Sequence, residues 1–172
     1  MLTPFALLTL GLSPLGLGLA LAVAGIGALA GSLAAVSLGA RFGIGRVVTA
    51  CRASAAVAWA LVAASGTGWP GWICFGVGQL VLGLGMGAEN ANEMGYRQTV
   101  TPDRLQGRMN ATMRSLNRAM IVVGAPIGGI LGDALGFRTM LWVAAGGFLV
   151  VAVALSGTRF ARVSVGTEPA PD

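Results

Sequence analysis

The chain has 172 residues, 55% hydrophobic and 10% charged, whereas soluble domains are roughly 25% charged; this argues against a water-soluble fold. Its net charge of +5 comes from eleven arginines and no lysine against six acids, with no basic patch interleaved with aromatics. That argues against a nucleic-acid partner. There is no histidine, and Cys51 and Cys74 lie singly in or beside apolar runs. Zinc sites and His-based catalysis therefore lose their usual ligand and base, and the thiols read as small apolar packers. No metal or cofactor is expected, nor an intramembrane enzyme, since no nucleophile and base pair up.

Several apolar runs reach the roughly 20 residues needed to cross a hydrocarbon core. The expectation is an all-α, polytopic membrane helix bundle of about five transmembrane helices, with the lipid bilayer as its surroundings. Residues 1–11 are apolar but too short to span, and they carry no positive n-region of a signal peptide. Ser13-Pro14 reads as an N-cap with proline at the first helical position. A run from Leu15 to about Leu38 follows, ending at the turn GARFGIGR (39–46). A second span covers about Val47 to Ala64 and stops at SGTGWPG (65–71), a Gly/Pro turn with Trp69 and Trp72 suited to a membrane interface.

A third span, about Ile73 to Tyr96, carries GMGAENANEMGYRQTV (85–100) near its far end. The polar segment 97–114 comes next, with Thr101 as N-cap and Pro102 opening a short helix. A fourth span covers about Leu116 to Leu135, and GFR (136–138) leads to a fifth, about Thr139 to Leu155. Residues 1–158 thus form the bundle. Residues 159–172 read as a polar, Pro-rich tail, disordered by composition.

Arginine confined to the turns reads as topology. Arg41 and Arg46 lie between spans one and two, Arg97, Arg104, Arg108 and Arg114 between three and four, and Arg159 and Arg162 after five. The other side carries only Asp133 and Arg138, which cancel. The positive-inside rule then puts the first set and the C-terminus in the cytoplasm of a multi-pass plasma-membrane protein. With five spans the N-terminus lies outside, and residues 1–11 read as the end of a helix that begins elsewhere.

Glycines four apart recur at Gly27/Gly31, at Gly83/Gly87 and at Gly124/Gly128/Gly132. Such stripes let helices approach closely, and they serve either plain packing or a sliding interface. The stripe on Gly124, Gly128 and Gly132 is expected to meet the first span through Gly27 and Gly31. In GAPIGG (124–129), Pro126 removes a backbone hydrogen bond and can kink the span, with Gly124 and Gly129 leaving room around it. Arg41, Gly43 and Arg46 in the 39–46 turn read either as an anchoring loop or, with Arg97, Arg104 and Arg108, as a cytoplasmic gate.

This order of features resembles the C-terminal half of a major facilitator superfamily transporter. SLGARFGIGR (37–46) looks like the family's weaker Gly/Arg-rich turn between helices eight and nine, with Ala40 where the full motif has Asp. GAPIGG sits where helix eleven repeats the Gly-Pro-Gly-Gly motif of helix five. RQTVTPDRLQGRMNATMR (97–114) is similar to the loop between helices ten and eleven in drug- and siderophore-exporter branches, including enterobactin-exporter-like and macrolide-efflux-like proteins. The resemblance implies half of a major facilitator fold, with the five spans as helices eight to twelve. It implies a partner as well: an N-terminal half, covalent or separate, or a second copy, since family transporters bind substrate between two halves.

By the same resemblance, the third span borders the central cavity, where Glu89, Asn90, Asn92 and Glu93 would meet a small-molecule substrate or protons. Glu89 and Glu93 share a helix face, and intramembrane carboxylates commonly mark such pathways. Alternatively both anchor the interface by pairing with Arg97, Arg114 or Arg118, or they are drift in a fragment. Glu89, a turn deeper, is the stronger functional candidate. Two functions stay open: half of a proton-coupled exporter working by alternating access, or a non-transporting fragment or small helical protein that dimerises through its glycine stripes.

Overall fold

The computed structural model describes residues 2–158, so the 159–172 tail lies outside the described residues. A short helix α1 (Leu2–Pro4) passes into a π-helical stretch, Phe5–Thr9. Five long helices follow: α2 (Pro14–Phe42), α3 (Ile44–Ala64), α4 (Trp69–Val100), α5 (Asp103–Leu135) and α6 (Phe137–Ser156). Each is long and apolar enough to cross a membrane, and no strand occurs among the described residues. In lipid a chain must satisfy its own backbone groups, and helices do this within each segment. The fold is an all-α membrane helix bundle.

Local signals explain the breaks. The Ser13 hydroxyl accepts the Gly16 amide at 3.1 Å, and Pro14 opens α2. The 39–46 turn is tighter than a loop: α2 runs through Phe42, and Gly43 alone, at φ 84°, separates it from α3. A side chain is strained at that φ, so glycine is the residue that can reverse the chain there. The polar segment 97–114 differs from its sequence reading. It is helical on both sides of a break at Thr101–Pro102, and α5 starts at Asp103 without a side-chain cap. Pro102 lacks an N–H and pushes Thr101 out of the helical region, so the break falls there. The Thr101 hydroxyl instead donates to Met109 Sδ at 3.1 Å. Helices of 32 and 33 residues are about 50 Å long, longer than the roughly 30 Å hydrocarbon core. Their polar ends therefore extend past the hydrocarbon core.

The N-terminal segment closes one end of the molecule. Phe5, Ala6 and Leu10 are buried with Leu17, Val62, Phe75 and Leu141. Two polar contacts pin that segment: Trp72 Nε1 donates to the Leu10 carbonyl at 3.1 Å, and the Arg138 guanidinium stands 5.6 Å from the Phe5 ring centroid. Arg138 also donates to the Ser65 carbonyl at 2.9 Å.

Helix α4 is the hub, packing on α2 along one side and α3 along another, while α3 also packs on α6. The α2–α4 seam is made by four glycines in reciprocal pairs. A Cβ on Gly27 would lie 2.6 Å from the Leu80 carbonyl oxygen, and one on Gly31 would collide with that of Leu84. From the other side, Gly83 meets the Ala24 carbonyl and Gly87 that of Ala28. The backbones are close enough for Cα–H groups to face carbonyls, a contact that helps where lipid removes the hydrophobic drive.

Gly27 and Gly31 therefore meet α4 rather than the expected stripe on α5. Helix α5 packs chiefly on α6. A side chain at Gly124 or Gly129 would enter open space, Pro126 is exposed inside an unbroken helix, Gly128 is half-buried, and Gly132 is buried.

Candidate functional site

The polar cluster of α4 divides by helical angle. Glu89, Asn92 and Glu93, spaced three and four apart, turn toward the neighbouring helices, whereas Asn90 is exposed. Asn92 is a fastener. Its side-chain Nδ2 donates to the Ala35 carbonyl of α2 at 3.1 Å and to the Ala88 carbonyl at 2.9 Å. Its Oδ1 occupies the space that a side chain at Gly39 would need. With both amide hydrogens engaged, Asn92 joins α2 to α4 and has no free donor for a ligand.

Glu89 and Glu93 face α3. The partner waiting there is Arg52, in the middle of the second span. Its Nη2 forms an ion pair with Glu89 Oε1 and lies 3.8 Å from Glu93 Oε1. Glu93 Oε2 in turn accepts from Arg97 Nη2 at 2.7 Å, one helical turn on. Four charges of alternating sign result, Glu89–Arg52–Glu93–Arg97, summing to zero. Glu89 is the deepest, its side chain 11% exposed against 28% for Glu93. Arg52 also stands 6.0 Å from the Phe148 ring centroid on α6, within reach of a cation–π attraction. One guanidinium of α3 thus reaches two other helices, α4 and α6.

Small residues make this reach possible. On the α3 side of α4, a Cβ at Gly85 would lie 2.6 Å from Ser54 Oγ, and one at Gly78 would lie 2.8 Å from Val62 Cγ2. A larger residue at either position would push α3 away and carry Arg52 from the carboxylates. Glu89 Oε1 is held by charge rather than by an aligned hydrogen bond, because no donor meets it with hydrogen-bond geometry.

The cluster opens at one end. Glu93 and Arg97 line a hollow of about 250 Å³ with Ile44 and Tyr96, which brings the first residue of α3 beside the far end of α4. Gly43 supplies the reversal that seats Ile44 there. Arg41 and Arg46 flank that turn and are exposed, and Arg104 and Arg108 lie exposed on α5. Of the arginines considered as gate or anchor, only Arg97 touches the cluster; Arg114 and Arg118 form no ion pair among the described residues.

Arg52 is the residue that the sequence reading missed. It interrupts VVTACRASAAVAWALVAA (47–64), the second span, so arginine is not confined to the turns. A lone cation inside an apolar run calls for an acid on a neighbouring helix, and this was the signal.

The family model of the Major Facilitator Superfamily matches residues 1–171. Searches of curated proteins and of solved structures returned no match. A match along virtually the whole chain, over a bundle of membrane-length helices, shows that the chain belongs to the major facilitator superfamily.

Proposed function

We propose that the chain forms one half of a secondary transporter that exports small molecules in exchange for protons, with Glu89 as the proton-carrying group. One observation carries this reading: a single guanidinium, Arg52, is shared by two carboxylates inside the bundle. Two carboxylates and one shared cation make a natural two-position device. With Glu89 ionised, Arg52 is drawn deep and ties α3 to α4. When Glu89 takes a proton, its charge is gone and Glu93 holds Arg52 alone. The attraction between α3 and α4 at depth then falls, and a change in helix packing follows from a change in one proton. A cationic or neutral substrate suits such a site, since it enters as the proton leaves.

The opposing wall of the pathway comes from a second half, covalent, separate or a second copy. The uncovered surface of α5 around Gly124, on the side of the helix away from its arginines, gives such a unit room to pack. Drug- or siderophore-class cargo follows from the resemblance of residues 97–114. A plasma-membrane location with the Arg41, Arg46, Arg97, Arg104 and Arg108 end in the cytoplasm follows from the positive-inside rule. The dimer reading is weaker, because the stripes of α2 and α4 are occupied by each other.

The test is proton-coupled export by the chain reconstituted with its complementary half. Glu89→Gln should abolish coupling, while Glu93→Gln, which removes the second position for Arg52, should weaken coupling and lower folded yield. Coupled transport at the native rate in both variants would reduce the cluster to a structural ion pair.

A further inference from the structure

The polar end of α5 carries a charge pattern that the transport reading does not use. Arg104, Arg108, Arg114 and Arg118 are all exposed. At 3.6 residues per turn they fall within an arc of about 120°. Gly107, Ala111 and Ser115 occupy the same arc and are also exposed, so nothing bulky stands between the guanidinium groups. No acid occurs from Arg104 to Gly132. Asp103 is engaged by Gln106 Nε2 at 3.0 Å, and α6, the helix on which α5 chiefly packs, carries no acid. The opposite arc of about 80° holds Leu105, Met109, Met113, Leu116 and Met120. Arginines on one arc and apolar side chains on the other let this end of the helix meet charged headgroups on one side and apolar surface on the other.

Depth selects the partner. Counting back from Leu135, about 20 residues cross the hydrocarbon core, which puts the boundary near Leu116. Arg114 and Arg118 therefore stand at headgroup level, where their stems can lie along apolar surface while the heads reach out. A guanidinium offers a fork of donors matched to phosphate oxygens. We propose that the arginine face of α5, led by Arg114 and Arg118, binds the phosphate-bearing headgroups of anionic phospholipids. Arg104 and Arg108 lie roughly 12–18 Å farther along the axis, beyond a Debye length of about 8 Å, and contribute less.

The experiment uses the full chain in a non-ionic detergent, titrated with phosphatidylglycerol or phosphatidylcholine, with retained lipid counted by native mass spectrometry. Phosphatidylglycerol should be retained and phosphatidylcholine lost. Arg114→Gln/Arg118→Gln should weaken retention about 25-fold, or fivefold per arginine, and Arg104→Gln/Arg108→Gln less than fivefold. Should the first pair fail to fold, the native chain decides: retention must fall steeply as salt is raised. Equal retention of the two lipids, salt-independent retention, or an unaffected first pair would overturn the proposal. Displacement of phosphatidylglycerol by millimolar inorganic phosphate would overturn it too, by marking a site for free anions.

Discussion

Arg52 on α3 and Glu89 on α4 form an ion pair inside the apolar bundle, and Glu93 competes for the same guanidinium from one helical turn away. The pair stabilises the α3–α4 packing only while both members are charged. Removing one member leaves the other buried without a counter-charge, a loss larger than the net contribution of the pair itself.

Arg52→Gln should therefore destabilise the chain by roughly 3 kcal/mol, the low end for breaking a buried pair, because the Arg52 side chain is still 34% exposed. The midpoint of thermal unfolding in detergent measures this. Adding Glu89→Gln to Arg52→Gln should recover part of the loss, since no charge is then stranded. Additive losses in the double variant would mean that the two side chains do not interact.

The glycine seam gives a sharper contrast. Gly87→Leu should collapse folded yield, because its Cβ would collide with the Ala28 carbonyl, and backbone on both sides leaves nothing flexible to yield. Gly124→Leu should fold normally, because its Cβ enters open space. Size-exclusion chromatography reads both. Equal yields would contradict the α2–α4 pairing.

Asn92→Ala removes two donated hydrogen bonds, one of them to Ala35 on the facing helix. The expected loss is about 1–2 kcal/mol, as interhelical hydrogen bonds in membranes are individually modest. Asn92→Ala should also make Gly39→Ala tolerable, since Asn92 Oδ1 is the atom that a side chain at Gly39 would strike. A double variant less stable than the sum of the single changes would refute that contact.

At the other end of the molecule, Trp72→Phe and Arg138→Gln should free the N-terminal segment, which these residues hold through the Leu10 carbonyl and the Phe5 ring. A cysteine placed at Gly11 in a Cys51- and Cys74-free background should react faster with a maleimide in either variant. Unchanged rates would mean that apolar burial of Phe5 and Leu10 alone holds the segment.

The same background tests orientation. A cysteine at Thr67, in the turn between α3 and α4, should be modified from outside intact cells. Modification only from the cytoplasmic side would invert the topology drawn from the arginines.

Chain order, the number of spans and the principal breaks follow from the sequence alone. Apolar runs of this length must be helical, because lipid offers the backbone no other partner. Breaks such as Gly43, Gly68 and Gly136 show as turn residues because the reversals there need positive φ. The conspicuous side chains, Glu89, Asn92 and Glu93, were legible too, since polar groups are rare in such spans. Of their partners, only Arg97, four residues beyond Glu93, was legible; those on other helices were not. Glycines four apart look alike on α2, α4 and α5, and only the helix crossings decide that Gly27 and Gly31 meet Leu80 and Leu84 while Gly124 meets nothing. Arg52 likewise lies far from Glu89 along the chain, and local spacing pointed instead to Arg97, Arg114 and Arg118. Helix packing brings Arg52 to Glu89 because Gly78 and Gly85 let α3 approach within reach of one arginine side chain. The sequence determined which groups needed a partner in lipid; the tertiary structure decided which groups they met, because pairing depends on the relative rotation and closeness of helices that no local pattern encodes.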